Sequence, residues 1–189
     1  MEHSFNSQCG EDKWLYLEGL LPDNGFYIDL GSANGTVNSN TKVLDNMGWS
    51  GICVEPNPEY LTSYVDRTCK LIQKAVNKID GSVYFDYAGE AGKITTKDKL
   101  GVKIVPAISL ATLVKENNVT QIDLLSVDLE GSEYDVLKPY FKTDLPKPKI
   151  IIAEYSTFGK QDHRLLSMLI KRGYWLQLTT AFNYVLTTI

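Results

Sequence analysis

Apolar residues along this chain alternate between short continuous runs and helical spacing. The runs at 25–30, 51–55, 70–76, 122–128 and 149–155 are too short for helices, are bounded by turn-forming residues, and read as buried strands. Between them, apolar positions recur at helical intervals: Trp14, Leu15, Leu17, Leu20 and Leu21 ahead of Pro22, then Val43, Leu44 and Met47 between Ser39 and Gly48. The same spacing joins Leu110, Leu113 and Val114 after Ser109, then Tyr134, Val136, Leu137 and Phe141, then Leu165, Leu166, Leu169 and Ile170 between Asp162 and Gly173. A further helix is expected over 59–67, an edge strand over 83–87, and a closing pair of strands over 174–178 and 184–188. This βα alternation predicts one α/β domain over 1–189. Its sheet should have about seven mainly parallel strands, helices on both faces and an antiparallel final strand. Residues 1–24 form a helical segment ahead of the first core strand, and the glycine- and lysine-rich stretch 88–101 reads as a mobile loop.

Composition changes this picture little. With 43% apolar and 22% charged residues among 189, a sizeable core needs no disulfide or metal. A net charge of −4 argues against tight binding to nucleic acid, whose affinity comes from Lys and Arg on phosphates. The three cysteines, Cys9, Cys53 and Cys69, make no metal-type spacing, and their odd number fits a reducing compartment. Residues 1–12 lack the apolar run of a secretory leader, and the longest apolar stretch, 150–153, is far too short to span a bilayer. A cytoplasmic location is expected, and the glycosylation sequons at Asn34 and Asn118 are read as chance.

A doubly wound sheet binds ligands beyond the carboxyl ends of its strands. The first strand ends in Asp29 and a turn bracketed by Gly31 and Gly35. This G-x-x-x-G spacing is not the dinucleotide G-x-G-x-x-G, and no Lys or Arg in the turn supports a phosphate-binding loop. The second strand ends in Glu55, placed to accept both hydroxyls of a ribose. Together these features suit a nucleoside without phosphates. An adenosyl group joined to methionine fits: it has a ribose, a positive sulfonium, and an ammonium that Asp29 can hold. Asp128, Glu130 and Glu154 close the fourth and fifth strands, so three carboxylates converge on one edge. They could handle substrate or the transition state, hold a divalent ion, or merely cap loops and helix N-termini. No metal is expected; Asp128 and Glu154 are the residues that would ligate one.

With these residues in place, the chain resembles the FkbM-type methyltransferase family. The resemblance rests on Ser7-Gln8 through Gly10-Glu11-Asp12, Tyr27 through Gly35, Ser39-Asn40-Thr41, Gly48 through Asn57, Arg67, Ala75-Val76, and Ile122 through Glu133. It implies a Rossmann-like class I methyltransferase fold, S-adenosyl-L-methionine as cofactor, and O-methylation of a hydroxyl on a sugar, glycan or other small molecule. Carried over, Asp29, Gly31, Asn34 and Gly35 would hold the methionine side, with Ser32, Ser39 and Asn40 close by. Glu55 would take the ribose, Pro56, Ala75 and Val76 belong to the same cofactor site, and Asp128 and Glu130 would flank the methyl group. The chain is short for the family, so its acceptor site is expected to be open or completed by a partner subunit in a homo-oligomer.

Methyl transfer to a hydroxyl needs a nucleophile held in line and a base for its proton. His163, Asp128 and Glu130 are the candidates; His3 lies in the N-terminal tail. Tyr155, Phe158 and Trp49 could line a pocket or simply pack in the core. Lys93, Lys97, Lys99 and Lys103 could attract an acidic substrate or form a solvated surface. Two other readings stand against methyl transfer: a nicotinamide-dependent oxidoreductase, which the glycine spacing disfavours, and a non-catalytic interaction module, which the intact set Asp29, Gly31, Gly35, Glu55 and Asp128 disfavours.

Overall fold

The computed structural model describes residues 3–87, 89–96, 101–157 and 159–188. Its elements run α1 (Glu11–Leu17), β1 (Phe26–Leu30), α2 (Lys42–Asn46), β2 (Ser50–Val54), a 3-10 helix (Pro58–Tyr64), β3 (Lys70–Ile72), β4 (Ala75–Val76) and β5 (Gly81–Asp86). A 3-10 turn (Gly89–Ala91), β6 (Lys93–Thr95), β7 (Val102–Ile108), α3 (Leu110–Glu116), β8 (Leu124–Val127) and α4 (Glu133–Tyr140) follow. The chain closes with β9 (Ile150–Glu154), β10 (Ser156–Thr157), β11 (Lys160–Gln161), α5 (Arg164–Ile170), β12 (Trp175–Thr179) and β13 (Asn183–Thr187).

The main sheet has seven strands in the order β12-β13-β9-β8-β1-β2-β3. Its pairs are parallel from β3 through β9, and β13 runs antiparallel to both β9 and β12. Side chains alternate across it, as the two-residue period of a strand requires. Ile28, Leu30, Leu125 and Val127 face a core closed by Leu113 of α3, Leu137 of α4 and Leu169 of α5. Tyr27, Cys53 and Leu124 face a second core closed by Leu15 of α1 and by Val43 and Leu44 of α2. Helices therefore cover both faces.

Several local expectations are corrected. The run 70–76 is two strands, because the chain turns at Gln73 and Lys74, with Lys74 N–H bonded to Ile72 C=O at 3.0 Å. β3 stays in the main sheet, while β4 joins a smaller one ordered β4-β7-β5-β6. β7 escaped the hydrophobic pattern because Lys103 and Ile104 are exposed and Pro106 interrupts the run. The stretch read as a loop contains β6, paired antiparallel with β5. The helix expected from Ser39 begins three residues later, after Thr41, and His163 rather than Asp162 stands at the start of α5. The helix expected at 59–67 is a 3-10 helix opened by Pro58. Phe158, Lys97 and Lys99 lie outside the described residues. No helix among the described residues is long and apolar enough to cross a membrane.

Candidate active site

The sheet's order reverses between β1 and β8: the chain moves outward to β2 and β3, then returns to the other side of β1. Such a switch opens a crevice at the strands' carboxyl ends. A cavity of about 280 Å³ lies there.

The turn after β1 forms one wall. Gly31 has φ of 78°, a region glycine enters without steric cost. A Cβ at this position would stand 1.8 Å from the Asp128 carbonyl oxygen, so the turn packs directly against the end of β8. Gly31 and Ser32 N–H groups both bond to Val54 C=O, at 3.0 and 3.2 Å, which fixes the turn to β2.

Glu55 follows β2 and is 6% exposed. Its Oε2 accepts from Ala33 N–H at 3.0 Å and its Oε1 from Asn57 N–H at 2.7 Å. Burial pushes its pKa up to about 7 against the pull of these two donors, and nearby Asp29 adds to the rise. Asp29 is also buried and raised by desolvation, although Thr41 Oγ1 donates to it at 2.6 Å and Ser126 bonds to it. Asn40 Nδ2 donates to Ser126 Oγ at 3.2 Å, while its buried Oδ1 has no partner.

Arg67, 9% exposed, organises this wall from behind. It donates through Nε to Asp45 at 2.6 Å, and through Nη2 to Tyr27 OH at 2.9 Å and Thr41 Oγ1 at 2.8 Å. Its Nη1 reaches the carbonyl of Gly35. One buried guanidinium thus ties together the glycine turn, α2 and β1.

The opposite wall is acidic. Asp128, Glu133 and Glu154 each bring a carboxylate oxygen within 4.8 Å of the others. Glu133 Oε1 accepts from Leu129 N–H at 2.8 Å and Gly131 N–H at 3.1 Å. Asp128 and Glu154 hydrogen-bond to each other. Desolvation, then the charges of Glu154, Glu130 and Glu133, push the Asp128 carboxyl well above its ordinary range. Glu154 is pushed up to about 7 by burial and by Glu133 and Glu130, against a 2.7 Å bond from Thr157 Oγ1. Two carboxyls this close favour sharing one proton over both ionising. Glu130 sits at φ 54° and is raised by burial, partly offset by Lys93.

Of the residues singled out from sequence, Asp29, Gly31, Ser32, Ser39, Asn40, Glu55, Pro56, Val76, Asp128, Glu130 and Glu154 line the cavity. Asn34, Gly35 and Ala75 do not. Asn34 Oδ1 instead caps the turn through Thr36 and Val37 N–H groups, and Ala75 packs in the small sheet's core. His163 stands apart on a second cavity, with Nδ1 bonded to Tyr184 OH at 2.6 Å. Trp49 is 2% exposed and packs in the core. Sequence reasoning missed Phe85 and Ile94, which reach the cavity from the small sheet, Phe182 from the β12–β13 turn, and Asn183 at the start of β13. Ser126, a lone polar residue inside an apolar strand, was a signal left unused.

The methyltransferase FkbM domain model matches residues 29–176, most of the chain and every carboxylate just described. The chain belongs to the FkbM methyltransferase family. Its glycine turn, its Glu55-Pro56 pair and its Asp128–Glu133 segment all fall within the matched region. Among solved structures, the fold is similar to the C-terminal domain of precorrin-6Y C5,15-methyltransferase from Rhodobacter capsulatus. That pair shows 14% identity and a TM-score of 0.49, covering 91% of this chain and 83% of that one. Precorrin-6y C5,15-methyltransferase from Geobacter metallireducens GS-15 is similar at 14% identity and TM-score 0.48, covering 93% and 85%. No curated protein matches the chain.

Proposed function

We propose that this FkbM methyltransferase uses S-adenosylmethionine to methylate a hydroxyl of a sugar, glycan or other small molecule. The observation that carries the reading is Glu55, a buried carboxylate on the cavity wall at the end of β2, oriented by two backbone donors. Its remaining lone pairs suit the two hydroxyls of a ribose. Asn40 Oδ1, a buried acceptor without a protein partner, suits the ammonium of the methionine end, with Asp29 behind it. Lys93 is the one Lys or Arg on the described cavity wall, which suits a ligand with a positive centre and no phosphates. The cofactor supplies a methyl group made electrophilic by its sulfonium.

The chain's own residues supply the rest. Phe85, Ile94 and Phe182 give the cavity an apolar side that would limit water at the reacting centre. The Asp128–Glu154 pair receives the acceptor's proton. A carboxyl near 7 can take up a proton at neutral pH and release it to solvent afterwards. Ser132, Ser156 and Asn183 on the same wall offer hydrogen bonds to a polyhydroxylated acceptor.

Calorimetry with S-adenosylhomocysteine, followed by methyl transfer to a panel of sugars and alcohols, tests this reading. Asn40→Ala should weaken product binding about tenfold, the loss of one bond to a charged donor. Glu154→Gln should keep that binding and lose transfer. A parent protein that ignores S-adenosylhomocysteine, or a Glu154→Gln variant with undiminished turnover, would overturn it.

A further inference from the structure

Charge is distributed unevenly along this acidic chain. Residues 138–172 hold eight of its 19 Lys and Arg but only three of its 23 Asp and Glu. The fold gathers five of those eight cations in one place. Lys138 and Lys142 project from α4 and the turn after it; Arg164, Lys171 and Arg172 project from α5 and its end. Together they line an open groove of about 710 Å³ between the two helices, away from the methyl-transfer cavity.

The cations are partly pre-arranged. Tyr134 is flanked by Lys138 Nζ at 5.2 Å and by the Arg164 guanidinium at 4.6 Å from its ring centre. Arg172 Nη1 donates to Met168 C=O at 3.1 Å, and its guanidinium lies 5.8 Å from the Phe141 ring centre. Asp162 is the only acid on the groove wall among the described residues, and Arg164 already engages it at 2.6 Å. Asp135 also acts on Arg164 from α4. Lys142 and Lys171 have no ion-pair or hydrogen-bond partner among the described residues. Holding like charges together on one concave surface is costly unless an anion offsets them.

We propose that the α4–α5 groove is a binding site for an elongated oligophosphate ligand. From Tyr134 to Tyr140 α4 rises about 9 Å at 1.5 Å per helical residue, and Lys142 lies beyond its end, which leaves room for several phosphoryl groups in a row. Arg guanidinium forks and Lys ammonium groups are the side chains that phosphoryl oxygens recruit. The concave shape favours a discrete ligand over a membrane, whose surface is best met by a flat basic face carrying exposed apolar side chains.

Tripolyphosphate titrated into 15N-labelled protein tests this site without any methyl-transfer readout. Amide shifts are expected in residues 134–142 and 161–172, with affinity falling steeply as salt is raised. The double variant Lys142→Glu/Lys171→Glu should weaken binding at least tenfold while binding S-adenosylhomocysteine like the parent. Absent shifts, shifts centred on Lys13 or Lys70, or equal affinity in the double variant would overturn the assignment. Orthophosphate binding as tightly as tripolyphosphate would also overturn it, leaving a single-phosphate site. So would capture by phosphatidylserine vesicles without a response to tripolyphosphate. Failure here leaves cofactor binding untouched, so the two readings stand or fall separately.

Discussion

Lowering the pH should release the cofactor product through one residue. Glu55 has a pKa of about 7 in the free protein, because burial outweighs the two backbone N–H groups that hold it. In the proposed ribose role the hydroxyls would donate to the carboxylate, so the bound state would favour the ionised form and lower this pKa. Affinity for S-adenosylhomocysteine should therefore be level above about pH 7 and fall as pH drops through that value. While the bound form stays ionised, the loss approaches about tenfold per pH unit, or about 1.4 kcal/mol. At two units below, the loss reaches about 3 kcal/mol, close to what two hydrogen bonds to a charged acceptor contribute. Glu55→Gln should bind about 10- to 100-fold more weakly at pH 8, because one of its two terminal atoms can no longer accept. Its affinity should also lose most of the pH dependence over this range. Calorimetry of both proteins from pH 5.5 to pH 8.5 makes the comparison. A parent curve that stays flat, or a Glu55→Gln curve parallel to it, would remove Glu55 from the ribose role.

Three further outcomes are expected. Gly31→Ala should cost at least about 3 kcal/mol in urea melts, since the new methyl meets the Asp128 carbonyl and φ is positive; an unchanged melt would mean the turn can shift away from β8. Arg67→Met should cost about 3–5 kcal/mol, because it removes the guanidinium paired with buried Asp45 and leaves the Gly35 carbonyl, Tyr27 and Thr41 without that donor, and chemical denaturation reads this directly. Glu154→Gln should gain stability relative to the parent as pH rises. Its folded pKa of about 7 exceeds the ordinary 4.5, so the parent's contribution is complete below about 4.5 and is lost as pH climbs through 7. Urea melts of both proteins at pH 5 and pH 8 test that sign.

The central strands were legible because burial on both faces leaves continuous apolar runs, such as 150–153, that few other structures produce. The Asp29 and Glu55 positions were legible for a related reason: a charged residue ending such a run is thrust into the crevice by topology alone. Local polarity gave no such cue at 93–95 or 102–108. There the strands are half exposed and pair with β5 across a gap in sequence, so neither periodicity nor a tight turn marks them. That small sheet carries Phe85 and Ile94 to the cavity, which is why its apolar wall went unseen. His163 showed the opposite failure. Its place after the fifth strand suggested proximity to the chemistry, but the β10–β11 hairpin intervenes and α5 turns it toward Tyr184.

Strand β13 lies between β9 and β12, so β12 reaches the main sheet only through a segment made after it. The two can pair locally as a hairpin and then dock as one piece on β9. Glu11 Oε1 then clasps the hairpin's tip, accepting from Thr180 Oγ1 and Asn183 Nδ2, both at 2.8 Å. Because Phe182 and Asn183 sit beside that tip, the cavity wall is complete only when the hairpin is docked. A chain with this hairpin undocked would keep its parallel strands and lack that wall.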